Sequence, residues 1–283
     1  MGDSFETGLE IRGLSTTGQA TTLTEGGVST APVFMASGDR VLFVRDVWPG
    51  RPGGVAARRA LWTMTPDGKD QQPLLPGNPD GWKSVTEAAE SPDGSWIAFT
   101  GITEENQERD RLHVVRPDGT DLRQLTDGGS EEIFFDFELA WSPGGDRLAF
   151  VRQSPDGDRY GFQLWTIDSD GGSAQMVYKA PDSLNSLSWA ADDSLVVNRT
   201  RGGQTTVLRV AIDSGEASEV ATGSWSPALS EAGTEVSYWD LDSLRVGDGL
   251  NLITTRLVDG ARGVLPTASP FNPFVGLSLA PCG

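Results

Sequence analysis

Ala140-Trp141-Ser142-Pro143-Gly144-Gly145-Asp146-Arg147-Leu148-Ala149-Phe150 reads as the end of one strand, a tight turn and the start of another. Trp141 closes an apolar run. Pro143 presets φ for the first corner of the turn, and a glycine supplies the positive φ that the next corner needs. Leu148, Ala149 and Phe150 then restart an apolar run of strand formers. One hairpin decides little, but the chain repeats it. Glu90-Ser91-Pro92-Asp93-Gly94-Ser95-Trp96-Ile97-Ala98-Phe99 is a second copy, and Phe34-Met35-Ala36-Ser37-Gly38-Asp39-Arg40-Val41-Leu42-Phe43 a third. Looser copies begin at Trp189 and Leu229, and Leu279-Ala280-Pro281-Cys282-Gly283 starts another. The copies recur at roughly 40 to 56 residues, the spacing of propeller blades.

A second signature lies inside each unit: an apolar strand, an Asp-Gly or Ser-Gly turn, and a short strand. Leu61 to Gly68 precedes Leu74-Leu75, Leu112 to Gly119 precedes Leu125-Thr126, and Leu164 to Gly171 precedes Met176-Val177. Leu208 to Gly215 precedes Val220, and Leu252 to Gly260 precedes Val264-Leu265. Each unit therefore holds four antiparallel strands, a, b, c and d, joined by hairpin turns. One such sheet cannot bury both faces alone, and radial stacking of copies does so. The pattern resembles the TolB-like propeller repeat, with its aromatic-Ser-Pro-Asp-Gly turn, Ile-Ala-Phe strand, Leu-Trp strand, Asp-Gly turn and Leu-Thr. Glu90 to Thr126 and Trp141 to Val177 carry the likeness most fully.

The expected fold is all-β: one domain over residues 1–283, a six-bladed β-propeller of four-stranded antiparallel blades. Five blades fall at about 28–76, 82–127, 135–180, 184–222 and 225–266, and the sixth is shared between 8–24 and 271–283. In it the N-terminal c and d strands pair with a C-terminal a strand, which closes the ring and removes free sheet edges. Residues 1–7 are too few and too polar to supply its b strand. A three-stranded sixth blade, or a chain cut short, is therefore expected.

Net charge is −18, with 40 Asp and Glu against 22 Lys and Arg. Such a surface repels phosphate backbones and argues against nucleic-acid partners. No apolar run is long enough to span a bilayer, no signal peptide is visible at Met1, and the lone Cys282 reports no disulfide. His113 is the only histidine and sits between apolar neighbours on a c strand, so a satisfied structural histidine is expected. With one histidine and no Gly-x-Ser-x-Gly there is no Ser-His-Asp triad of the α/β-hydrolase kind. No catalytic residue is assigned.

Strand order places the tight a–b and c–d turns at one face and the b–c and d–a connections at the other. The b–c connections Asp46 to Ala60, Gly101 to Asp110, Gln153 to Gly161 and Leu241 to Asp248 are long, as are the d–a connections Pro76 to Lys83 and Asp127 to Phe135. Long loops on a rigid scaffold are where binding resides. Aromatic and cationic residues there are the expected contacts: Trp48, Arg51, Arg58 and Arg59, then Trp82 and Lys83, Phe134 and Phe135, and Arg159 and Tyr160; the competing expectation is that these rings pack against the top of their own blade. Trp48 and Phe134 are expected to be partly exposed on one common face.

A strands line a propeller channel, and carboxylates and amides on or before them are candidate ligands for a hard cation such as Ca²⁺: Glu87, Glu90, Asp136, Glu138, Asn185 and Asn272. The competing expectation is that each meets water or an arginine. Glu90 stands where Trp141 and Trp189 stand in other copies, so a carboxylate there needs a donor. Asp168-Ser169-Asp170-Gly171 resembles the start of a calcium loop but lacks the downstream glutamate, and a hairpin turn is required there. The favoured reading is a monomeric, non-catalytic binding module for a protein or peptide. Resemblance to TolB-like propellers implies a periplasmic or extracellular place. The alternatives are a propeller hydrolase or lactonase using a channel cation, and a regulatory propeller detached from a prolyl-oligopeptidase-type peptidase.

Overall fold

The computed structural model describes residues 10–14, 19–25, 28–47, 58–75, 82–103, 110–127, 134–156, 159–222, 224–229, 233–240, 251–257 and 260–266. Among them every regular element is a β-strand, and no helix is long and apolar enough to cross a membrane. The chain divides into two compact units, Met1–Asp127 and Gly128–Gly283.

The first unit opens with a hairpin, β1 (Arg12–Leu14) against β2 (Ala20–Thr22). Two four-stranded antiparallel sheets come next, in simple up-and-down order. One is β3 (Ser29–Phe34), β4 (Val41–Val47), β5 (Arg58–Met64) and β6 (Gln72–Pro73). The other is β7 (Trp82–Glu90), β8 (Ile97–Thr103), β9 (Arg111–Val115) and β10 (Arg123–Gln124). Their facing side chains share one core, including Leu42, Val44, Leu61, Val85, Ile97, Phe99 and Val115. The outer face of the first sheet packs Val41, Phe43 and Met64 against Ile11 and Leu23 of the opening hairpin. The expected partner of that hairpin, a strand from residues 271–283, lies outside the described residues, as does Cys282.

The second unit repeats the arrangement three times. Its sheets are β11 (Phe135–Trp141) to β14 (Gln175–Ala180) by way of β12 (Arg147–Asp156) and β13 (Arg159–Asp168), then β15 (Ser183–Trp189), β16 (Ser194–Arg201), β17 (Gln204–Ala211) and β18 (Ala217–Thr222). The third is β19 (Ser224–Leu229), β20 (Glu235–Asp240), β21 (Asn251–Arg256) and β22 (Arg262–Pro266). Val151, Leu164, Leu184, Leu187, Leu195 and Leu208 form the core between the first two of these sheets, and Val196, Val207, Ala221 and Val236 the core beside the third. Central strands buried on both faces lose the polar alternation of a half-exposed strand: Leu148 to Val151 are buried without a break.

The turn chemistry explains the repeat. In the β7–β8 turn Gly94 has φ 68° and donates its N–H to Ser91 O at 2.8 Å. The Ser91 hydroxyl donates to Asp93 at 2.6 Å and accepts from Trp96 N–H at 3.0 Å. Ser91 and Ser95 together hold the Asp93 carboxyl at about 2. Ser142, Gly145 and Asp146 build the same clamp before β12. These aspartates are held by hydroxyls within their own turns.

A bulge also recurs, with no counterpart in the repeated sequence. The first strand of every four-stranded sheet carries a register shift, at Thr30/Val33, Val85/Glu87, Phe137/Leu139, Asn185/Ser188 and Trp225/Ala228. At Ala31, Glu138 and Ser186 the extra residue takes a left-handed φ of 51° to 55°, the conformation of a β-bulge that bends the strand and re-aims its side chains.

Candidate functional site

In each sheet the antiparallel order puts the short turns at one end and the b–c and d–a connections at the other. The loop-side residues divide sharply. Trp48 and Arg51 lie outside the described residues. Arg59 is exposed and pairs with Asp46 at 3.2 Å across the β4–β5 rung, while Arg58, Lys83 and Phe135 are half-buried. Gln153 to Gly161 is not the long connection expected: β12 runs on to Asp156 and pairs with β13, which Arg159 begins, and Tyr160 beside it is 50% exposed.

Trp82 and Phe134 correct the expectation of exposed aromatic anchors: they are only 4% and 2% exposed. Each folds inward at the start of its a strand. Trp82 stands edge-on to His113 at 4.8 Å and to Phe99 at 5.2 Å. Gly101 makes room for it, because a Cβ there would lie 2.9 Å from two carbons of the indole. His113 stacks on Phe99 at 5.3 Å, and its Nδ1 lies 2.9 Å from the Arg111 carbonyl oxygen. At 3% exposure its pKa falls from 6.5 to about 4, chiefly because burial disfavours the charged ring. It is a core histidine.

Phe134 covers Arg152, whose guanidinium carbon lies 3.9 Å from its ring centroid, 5.0 Å from that of Trp165 and 5.3 Å from that of Phe150. The same guanidinium donates twice to Asp136, from Nε at 2.6 Å and Nη2 at 2.9 Å. Asp136 has no exposed surface. A carboxylate so placed is neutralised by a bidentate partner inside a cation–π cage. Sequence reasoning misses Arg152, although a cation placed directly at the end of the apolar run Leu148-Ala149-Phe150-Val151, on a central strand, calls for a partner.

The other inner-strand acids are also engaged. Glu90 accepts the Ala36 N–H from the β3–β4 turn, and burial, with Asp93 and Asp39 nearby, raises its pKa. Glu138, on the bulge of β11, accepts the Leu187 N–H at 3.3 Å from the bulge of β15; burial raises its pKa. Both carboxyls thus fasten one sheet to the next within a unit. Glu87 pairs in register with Thr100 on β8, and Asn185, opposite Asn198, accepts a long hydrogen bond of 3.4 Å from Ser186 Oγ. Asn272 lies outside the described residues, and among those described no three His, Cys, Asp or Glu side chains gather as a metal site.

No protein-family model and no curated protein matches the chain. Solved structures do. A chain solved under the name TolB from Agrobacterium tumefaciens is similar with a TM-score of 0.61 at 17% identity, over 87% of this chain and 83% of that one. A chain of a nidogen/laminin complex is similar at 0.57 and 14% identity, over 88% and 84%. An oligogalacturonate lyase in complex with manganese reaches 0.65 at 16% identity, over 92% and 71%. At such identities the likeness is one of architecture, and it supports a TolB-like β-propeller fold for this chain.

Proposed function

We propose that this chain is a six-bladed, ring-closed propeller acting as a non-catalytic, monomeric docking module outside the cytoplasm. It presents the end that carries its b–c and d–a connections to a protein or peptide partner. The observation that carries the reading is the segregation of connections: each sheet keeps its a–b and c–d turns at one end, and the long connections 48–57, 74–81, 104–110, 125–134 and 241–250 all belong to the other end, although β12–β13 and β16–β17 are joined there by only two residues. Rigid sheets with long segments at one end are the usual build of a recognition surface. The engagement of Asp136 by Arg152, and of Glu90 and Glu138 by backbone amides, leaves these acids structural work rather than chemistry. A neighbour of the same fold comes from the nidogen/laminin complex, an assembly of proteins.

The second reading is a cation-dependent enzyme with Ca²⁺ or a similar ion in the channel, and it draws on the manganese-bound lyase of similar architecture. Affinity capture of extracytoplasmic proteins on the immobilised chain, in calcium and in chelator, separates the two. The docking reading expects the same protein retained in both conditions and no heat on calorimetric calcium titration. Retention only with calcium, together with binding heat, favours the cation reading, and no retention in either condition defeats docking.

A further inference from the structure

The β12–β13 hairpin outruns the sheet that carries it. Its last rung with β11 sets Phe135 opposite Gln153, and its last rung with β14 sets Ala180 opposite Phe162. Beyond these β12 and β13 pair only with each other, Ser154 with Gly161, Pro155 with Tyr160 and Asp156 with Arg159. β14 stops where Pro181 follows Ala180, and a proline has no N–H with which to continue a ladder. Among the described residues no strand therefore pairs with Arg159, Tyr160 or Gly161 on the β14 side. A two-stranded ribbon in water is marginal by itself, and an open edge is a template for another strand. Pro155, a residue type that guards edges, stands on β12 and not on β13.

The side chains on this ribbon continue a row that begins in the core. Alternation puts Leu164, Phe162 and Tyr160 on one face of β13. Leu164 is buried with Leu184 and Leu187, and Phe162 packs on that core and edge-on to Phe137 at 6.3 Å. Tyr160 is the next in the row, and half of it is open.

We propose that the β13 edge at Arg159–Gly161 receives an extended segment of the partner as an added strand, in the place where β14 stops, with an apolar side chain seated on Tyr160 and Phe162. This rests on the docking reading and names its element and the partner's conformation. Backbone pairing supplies the affinity in this mode, and alternate side chains the selectivity. The net charge of −18 favours a basic segment.

A displayed library of random linear peptides, selected on the full chain, tests it. The expected binders are basic with apolar residues at alternate positions. They bind Tyr160→Ala about tenfold or more weakly and Tyr160→Phe nearly as well as the parent. They also slow amide hydrogen exchange at Arg159 to Gly161. An unchanged melting temperature for Tyr160→Ala, expected of a half-exposed side chain, separates lost binding from lost folding. Binders indifferent to Tyr160→Ala that leave those amides unprotected overturn the proposal; if they fail on Arg59→Ala or Lys83→Ala instead, docking on the loop end survives without the ribbon. No enrichment at all overturns the added strand, while affinity capture still decides docking of a folded protein.

Discussion

The sheets β7–β10 and β11–β14 solve one packing problem in opposite ways. Each begins its a strand with an aromatic ring that folds over the b strand, Trp82 in one and Phe134 in the other. Each has a phenylalanine on b facing an aromatic ring on c, Phe99 opposite His113 and Phe150 opposite Trp165. The difference lies two residues after that phenylalanine. Gly101 leaves a space, and the large Trp82 fills it against a neutral imidazole. Arg152 fills its own space with a guanidinium, which needs a counter-charge, and Asp136 supplies it beneath the smaller Phe134. One pocket is apolar with a titratable ring held neutral; the other is a buried ion pair in an aromatic cage. The stability of the first pocket should therefore answer to volume and pH, and that of the second to charge.

The sharpest break in this comparison is Asp136→Ala. Removing one member of a buried pair strands the other, at a cost of about 3–5 kcal/mol, and Arg152 has a side chain only 15% exposed. Urea unfolding of the second unit's signal should show that loss. The double variant Asp136→Leu with Arg152→Met should recover most of it, because paired ions exchanged for packed apolar groups are often neutral in stability. A double variant as unstable as the single one would mean that the cage, and not the charge, holds this corner.

The neutral pocket should respond to acid. The folded pKa of His113, about 4, lies below its ordinary 6.5. The unfolded chain therefore binds the proton first as pH falls. Stability from this site is complete above about pH 6.5 and drains between 6.5 and 4, by on the order of 3 kcal/mol in all. Glu90 and Glu138, whose pKa values are raised by burial, act with the opposite sign, since there the folded state takes up the proton first. The His113→Phe variant isolates the histidine. As pH falls from about 7 to about 5 its unfolding free energy should fall less, or rise more, than that of the parent, and parallel curves would show that His113 does not control this window.

How far the sequence reaches is visible at the same two corners. The four-stranded units were legible because their turns need particular residues: Ser91 and Ser142 clamp, and Gly94 and Gly145 take positive φ. The direction of the loop-side rings was not. Trp82 and Phe134 come after stretches of turn formers and acids and look like loop anchors. Whether such a ring points in depends on a distant b-strand residue, Gly101 or Arg152. The partner of Asp136 was hidden by a bulge. Counting back evenly from the rung of Trp141 with Leu148 places Asp136 opposite Gln153; the extra residue at Glu138 shifts it to Arg152. Nothing in Phe137-Glu138-Leu139 marks a left-handed glutamate, so the register slipped by one where the chemistry lay.

The smallest effect, and the most direct test of space in the neutral pocket, is Gly101→Ala. The added methyl would meet the Trp82 ring at 2.9 Å and the Ser84 carbonyl oxygen at 3.2 Å. The ring is wedged by Phe99 and His113 and cannot withdraw without opening the core. Overpacking of this kind costs about 1–3 kcal/mol, offset in part by the lower entropy of an unfolded alanine. A melting temperature a few degrees below the parent, with a changed near-ultraviolet tryptophan signal, is expected. Combining it with Trp82→Phe, which gives the pocket the smaller ring used at Phe134, should reduce the penalty of the added methyl. If the two losses simply add, the ring and the glycine are not filling one space, and the equivalence of the two corners fails at its first rung.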